Sequence, residues 1–243
     1  MASSTIGPFP ASGTPVDEVV RELDAKRDND VRWAEGRTFG LVFDGGDEVR
    51  DVADQAARLF LHENALNTSA FPSLGEIQSE LCGWTADLLH GPPETAGFLT
   101  SGGTESILCA VEAARERARA ERSITEPEIV LAVSAHAAFH RGAHLFGLRT
   151  RVVPVTDAWT VDLDAMADAV GPNTALVVAS AVDYPTGLAD PVPDIAAPAA
   201  SAGASCHPHA RLGRFRLPLA PLACRTPPAC ARRPPRVPHT PPA

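Results

Sequence analysis

The chain has 243 residues, 44% of them hydrophobic and 21% charged, with a formal net charge of −9. That length suits one domain with a sizeable core, or a domain with appendages. No apolar run approaches the roughly 18 residues of a membrane span, no basic-then-apolar leader is present, and the acidic balance argues against a nucleic-acid surface.

Residues 1–14 are small, polar and rich in Gly and Pro, and read as a loose terminus. The spacing of Val19, Val20 and Leu23 between charges predicts an amphipathic helix over 16–33. Residues 37–46 read as an extended segment that ends in a turn. Val52, Ala56, Leu59 and Phe60 share one face of a helix predicted over 47–64. Ile77, Leu81, Trp84 and Leu88 recur at three and four residues, which predicts a helix over 74–90, stopped by Gly91-Pro92-Pro93.

From there short apolar runs alternate with helical patterns. Strands are predicted at 97–100, 129–134, 150–155 and 174–179. Helices are predicted at 104–122, 136–146, 162–170 and after Pro193. This alternation predicts an α/β fold, a mostly parallel sheet with helices on both faces. Such sheets bind ligands at the carboxyl ends of their strands. Beyond Ala200 ten prolines, beginning with Pro208, block long helices and central strands, so the tail is expected to be disordered.

Charge and lysine are distributed unevenly. The first 200 residues hold 14 basic and 30 acidic residues; residues 201–243 hold seven arginines and no carboxylate. Of the 21 basic residues one is a lysine, Lys26. Chemistry that needs a lysine amine therefore has a single candidate, near the amino terminus.

The sharpest local feature is Gly97-Phe-Leu-Thr-Ser-Gly-Gly-Thr-Glu-Ser-Ile. An extended segment ends in Ser101-Gly102-Gly103-Thr104 and a long helix starts at once. Glycines admit an anion close to the backbone, and the helix start offers unpaired N–H groups and a positive dipole end. This is the chemistry of a phosphate cradle; the alternative is an ordinary glycine turn capped by Thr104. The loop has neither the lysine of a Walker A motif nor a G-x-G-x-x-G pattern.

With this segment the chain resembles the pyridoxal-phosphate-dependent group II decarboxylases, and within them the sphingosine-1-phosphate lyase-like branch of the aspartate aminotransferase superfamily. Three further segments carry the resemblance: Asn64-Ala-Leu-Asn67 with Phe71-Pro72-Ser73, Ser134-Ala-His136-Ala-Ala-Phe139, and Tyr184-Pro185-Thr186-Gly187-Leu-Ala-Asp190-Pro191. It covers residues 16 to 207.

The resemblance implies part of a fold type I large domain: an N-terminal helical segment over 1–90, a partial cofactor-binding α/β domain over 91–207, and an aberrant Pro/Arg-rich tail over 208–243. It implies pyridoxal 5'-phosphate as cofactor, with Gly102, Gly103 and Thr104 on its phosphate and His136 stacked on its ring. A capping or core role is the alternative for His136. A metal reading of His136, His140 and His144 at four-residue spacing lacks a carboxylate or Cys partner, and no metal is expected. Thr186 reads as turn chemistry around Pro185 and Gly187, with an approach to the cofactor as the alternative. Asn67 and Phe71 border either the substrate pocket or a partner subunit, or simply pack their loop. Asp162 and Asp164 read as helix-start residues, and Arg115, Arg117, Arg119 and Arg122 as a solvated helix face.

The family also implies a small-molecule amine substrate, a homodimer, and cleavage of a Cα bond in an amino acid or amino alcohol. Nucleic-acid and membrane partners are not expected. Two departures bear on catalysis. The family pattern has Asp, the partner of the pyridine nitrogen, where this chain has His209; an imidazole supplies no fixed negative charge. The family's Schiff-base lysine has no counterpart, because Lys26 lies upstream of every motif. The chain therefore reads as a C-terminally truncated member with no catalytic residue assigned. It is expected to be inactive, with a non-catalytic phosphate-ligand or subunit-binding role as the alternative. The stretch CHPHARLGRFRLP resembles the family's CHVDACLGGFLLP, as a shifted reading frame in GC-rich DNA would produce. Five cysteines without a C-x-x-C pair suit a cytoplasmic protein.

Overall fold

The computed structural model describes residues 9, 11–36, 38, 41–42 and 44–210. The chain divides into two compact units, Met1–Glu63 and Asn64–Ala243. The expected tail disorder falls on residues that, past 210, lie outside the described ones.

In the first unit, α1 (Val16–Ala25) runs into a 3-10 turn (Lys26–Asn29), and α2 spans Asp47–Leu59. Both are shorter than their sequence patterns. After Ala25 the run Lys-Arg-Asp-Asn-Asp has no apolar residue to bury, and Asp and Asn side chains compete for the backbone. The described residues of the 37–46 segment form bends, not a strand. Arg50 pairs with Asp44 and Asp47 and lies 5.8 Å over the Trp33 ring. The Gly46 N–H and then the Arg50 guanidinium hold the Asp44 carboxyl below its ordinary range. No residue of α1 or α2 is buried, and Val16, Val20, Leu23 and Val52 are exposed.

In the second unit, α3 (Pro72–Leu88) starts on Pro72, whose fixed φ suits a first helical turn. The expected strand at 97–100 does not form. No neighbouring strand pairs with it; instead Leu99 N–H donates to Gln78 Oε1 of α3 at 3.1 Å. Then follow α4 (Gly103–Arg122), β1 (Glu128–Ala132), α5 (Ala138–Phe146), β2 (Arg149–Val153), α6 (Leu163–Ala169), β3 (Thr174–Ser180), α7 (Val192–Ser201) and β4 (Ser205–His209).

The four strands form one parallel sheet in the order β2-β1-β3-β4. All residues of β1 and β3 are buried, as expected of central strands covered on both faces. Ile129, Leu131, Leu176 and Val178 pack with Ile107 and Val111 of α4 and Phe139 of α5. Val130, Ala132, Val177 and Ala179 pack with Met166 of α6 and Ile195 of α7. Each fully buried large side chain in these layers contributes roughly 1.5–3 kcal/mol.

The expected bar on central strands beyond Ala200 leaves an edge position open, and β4 runs through Pro208 there. β4 is an edge strand, and Ala181 N–H donates to His209 O at 2.8 Å. His207 and His209 therefore turn their main-chain groups toward β3. Pro208 turns its donorless nitrogen away from β3, to the side with no strand among the described residues, so no ladder bond to β3 is lost.

The arginines of α4 are not a uniformly solvated face. Arg115 is half-buried, lies 5.2 Å over the Phe146 ring and donates to Phe146 O at 3.1 Å. Arg122 donates to Thr174 O and to Pro172 O, each at 2.7 Å, and so ties the end of α4 to the turn that enters β3. Arg122→Met removes both charge-assisted bonds and leaves carbonyls of that turn unpaired. We expect it to lower unfolding free energy by about 1–3 kcal/mol in urea titration.

Candidate functional site

The cradle segment lies at the amino end of α4. Gly102 is the residue before the helix and provides no side-chain cap; the first helical bond runs from Ser106 N–H to Gly102 O at 3.1 Å. The N–H groups of the first turn thus face outward. Around them the loop is braced. Ser101 N–H donates to Glu105 Oε2 at 2.6 Å, and the Thr100 and Ser106 hydroxyls are 2.6 Å apart. Hydrogen bonds from Ser101 hold the Glu105 carboxyl below its ordinary range. The Gly102 backbone is extended, and a Cβ placed on it meets no protein atom within 4 Å. Neither packing nor backbone angle asks for glycine there. A side chain would obstruct only what approaches the N–H groups from outside.

His136 lies just beyond the carboxyl end of β1, ahead of α5. It is therefore not on one helix face with His140 and His144. Its Nδ1 accepts the Ala138 N–H at 3.1 Å, which caps α5 and fixes the imidazole. The capping alternative is thus realised, and it leaves the ring exposed at the site.

The packing of α4 on α5 brings these two features together. A Cβ on Gly142 of α5 would stand 3.1 Å from Val111 Cγ2 and 3.4 Å from Leu108 Cδ2, so glycine permits close contact. One helical turn further along both helices, Arg115 meets Phe146. The two helices are therefore parallel. Extending the same offset back toward their amino ends sets the first turn of α4 level with His136. The cradle accordingly lies at the carboxyl edge of the sheet without a strand leading into it.

The loop after β3 leaves the sheet at the same carboxyl edge. Thr186 Oγ1 donates to Asp183 Oδ2 at 2.9 Å and accepts Leu188 N–H at 3.2 Å, a turn role. Asp190 is buried and accepts Ser180 N–H at 2.7 Å and Val161 N–H at 3.2 Å. It joins the end of β3 to the segment entering α6. At the end of β4, the His209 ring lies 5.6 Å from that of His136, and Phe139 stands edge-on to His209 at 5.5 Å.

Other expected residues lie elsewhere or do something simpler. Asn67 Oδ1 accepts the N–H groups of Ser69 and Ala70, both at 3.1 Å, which is loop packing. Phe71 is half-buried just before α3. Asp162 caps α6 by accepting Ala165 N–H at 3.0 Å, a helix-start role. Lys26 lies in the other compact unit. Among the described residues no three His, Cys, Asp or Glu side chains cluster as metal ligands, and no helix is long and apolar enough to cross a membrane. One concavity runs the length of β2, from Arg149 to Val153 and Pro154, and another lies by the Pro172 turn; neither is lined by the cradle residues or by His136. Sequence reasoning missed Gln78 and Gly142 as site supports. A glycine inside a predicted amphipathic helix was the available signal for Gly142.

Comparison with known proteins identifies the family and the fold. The aminotransferase class-V pattern matches residues 49–208. Sphingosine-1-phosphate lyase 1 of Rattus norvegicus is 39% identical over 207 residues, covering 85% of this chain and 36% of the lyase. The structure of a Burkholderia pseudomallei sphingosine-1-phosphate lyase superposes with a TM-score of 0.81 at 37% identity, covering 89% of this chain and 52% of the other. A Lactobacillus brevis glutamate decarboxylase gives a TM-score of 0.71 at 21% identity, with coverages of 88% and 52%, and shares the fold. The chain spans about a third of the length of the rat lyase and about half of each solved structure.

Proposed function

From the premise that the chain belongs to the aminotransferase class-V family, we propose that it carries the phosphate- and ring-binding part of a pyridoxal-phosphate lyase site and binds that cofactor without a covalent bond. Members of this family depend on pyridoxal phosphate, and the relatives of this chain include lyases and decarboxylases. The fold is part of a fold type I domain. The observation that carries the reading is the parallel packing of α4 on α5, which sets an uncapped helix start level with an exposed, oriented imidazole.

When bound, pyridoxal phosphate supplies an electron sink for negative charge at a substrate Cα. The chain's own residues bind and orient. The N–H groups of Gly103 and Thr104 and the Thr104 hydroxyl hold the phosphate, favoured by the positive end of α4. Glu105 and Ser106 keep the loop in shape through Ser101 and Thr100. His136, fixed by its bond from Ala138 N–H, supplies a flat face for the ring.

The whole protein's reaction is, on this reading, cleavage of a Cα bond in an amino acid or amino alcohol. The 243 residues themselves contain no lysine but Lys26, so we assign them binding and not turnover. The exposed apolar faces of α1 and α2 support a homodimer, and the free cysteines Cys82, Cys109 and Cys206 support a cytosolic setting.

The test adds pyridoxal 5'-phosphate to the purified protein, records thermal stability and visible absorbance, then reduces with borohydride and maps any label. We expect a raised melting temperature and, in the Lys26→Arg variant, no cofactor-derived label other than on the α-amino group. Absence of stabilisation would remove the binding reading. A saturable Schiff-base absorbance that forms on the wild-type chain and restores activity would replace it with a catalytic one.

A further inference from the structure

We propose that the outer edge of β2 is a docking site for an extended acidic segment of a partner protein, which adds to the sheet as an antiparallel strand. Neither the cradle residues nor His136 line this edge, and the cofactor reading can fail without affecting it.

β2 ends the strand order, with β1 on one side and no strand among the described residues on the other. Arg149 N–H donates to Pro127 O and Val153 O accepts Val133 N–H, each at 2.9 Å. Main-chain groups alternate in direction along a strand. Arg149, Arg151 and Val153 therefore face β1, and Thr150 and Val152 turn both N–H and C=O outward. The next outward carbonyl, Pro154 O, is already taken by Asp162 N–H at 3.1 Å. An added strand thus finds a short template of two N–H and two C=O groups. Beside it, between β2 and the face of α6 that carries Ala165, Asp168 and Ala169, lies a concavity of about 650 Å³.

Charge selects what adds there. The buried Glu128 lies 3.6 Å from Arg149 and 3.4 Å from Arg151, and the exposed Glu126 lies 3.7 Å from Arg149. These pairs are longer than the roughly 2.7–2.9 Å of a charge-assisted hydrogen bond. The Arg149 guanidinium makes no hydrogen bond among the described residues. Glu128 holds two guanidiniums in line, and their N–H groups keep capacity for a carboxylate from outside. A second copy of β2 fits badly. Antiparallel pairing that uses all the outward groups sets Thr150 against Val152 and Arg151 directly against its own counterpart, and like charges so placed destabilise a ladder. A foreign strand in the same register with Glu opposite Arg151 and Arg149 makes attractive pairs instead. β-branched residues suit the places opposite Thr150, Val152 and Val153, and they cover Val152, which is 51% exposed.

The probe is the blocked peptide acetyl-Val-Val-Glu-Thr-Glu-amide, written to run antiparallel to residues 149–153. It is titrated into the full chain and followed by the amide chemical shifts of Thr150 and Val152. Saturable binding with a Kd of roughly 1 mM or tighter is expected. Replacing both Glu by Lys should weaken it about tenfold. N-methylation of the second Val and of Thr, whose N–H groups face β2, should abolish it. Arg149→Gln should cost the acidic peptide about threefold and leave the lysine peptide no weaker. The peptide controls use the wild-type chain, so they decide the matter even if the variant does not fold. Absence of saturable binding by the acidic peptide would overturn the proposal. So would equal affinity for the lysine peptide, undiminished binding after N-methylation, or unchanged affinity in folded Arg149→Gln. Shifts at Thr150 and Val152 that follow protein concentration without peptide would name a second copy as the occupant, and would overturn it too.

Discussion

Asp190→Ala is expected to lower the unfolding free energy by about 2–5 kcal/mol, because it orphans two buried N–H groups at roughly 1–3 kcal/mol each. The donors are Ser180 at the end of β3 and Val161 ahead of α6, and both residues are buried. Urea titration monitored by circular dichroism measures the loss. A change below about 1 kcal/mol would mean that water or a shifted loop satisfies both donors. The same residue has a pH signature. Burial pushes its carboxyl above the ordinary value of 3.8; the two N–H bonds pull the other way, and the charge of Asp183 adds to the rise. The folded state thus holds this proton more tightly than the unfolded chain does. The group's share of stability is whole below pH 3.8 and is lost as pH rises through its raised value. Asp190→Asn has no such proton, so urea midpoints taken across that range should show a flatter dependence. An unchanged slope would contradict the assignment.

Gly142→Leu is expected to cost about 3 kcal/mol and to weaken phosphate binding as well. The first added carbon alone would stand 3.1 Å from Val111 and 3.4 Å from Leu108, and the rest of the side chain would wedge α4 away from α5. Gly142→Ala should be much milder, because the helix gains roughly 1 kcal/mol from losing a glycine and this offsets the crowding. Urea unfolding ranks the variants, and calorimetric titration with inorganic phosphate reads the second effect. If Gly142→Leu bound phosphate as the wild type does, the register of α4 on α5 would not be what sets the cradle.

Much of this architecture was legible in the chain. The runs EIVLA and TALVVAS are apolar throughout, which strands covered on both faces require. The long pattern beginning at Gly103 reads as a helix to within a residue of its observed start. Residues 97–100 look like a strand but have none beside them among the described residues, whereas residues 205–209, with Pro208 among them, pair with β3 at the sheet's edge. Pairing is a property of the neighbour as much as of the segment. A proline is harmless when its nitrogen faces an open edge.

The site divides along the same line. The sequence by itself determined the chemistry on offer: a Gly-Gly-Thr helix start, histidines near two strand ends, and a single lysine remote from both. Those are facts of residue type and order, and local backbone physics makes the helix start attractive to an anion. Only the tertiary structure decided that the helix start and His136 share one rim, that His209 stands 5.6 Å from His136, and that Asp190 joins two strand-end loops. Each of these is a meeting of segments far apart in the chain. It is fixed by parallel strand order, which leaves no mark in any one local stretch of sequence, and by the close approach of two helices, for which a glycine within a helical pattern is the one local trace.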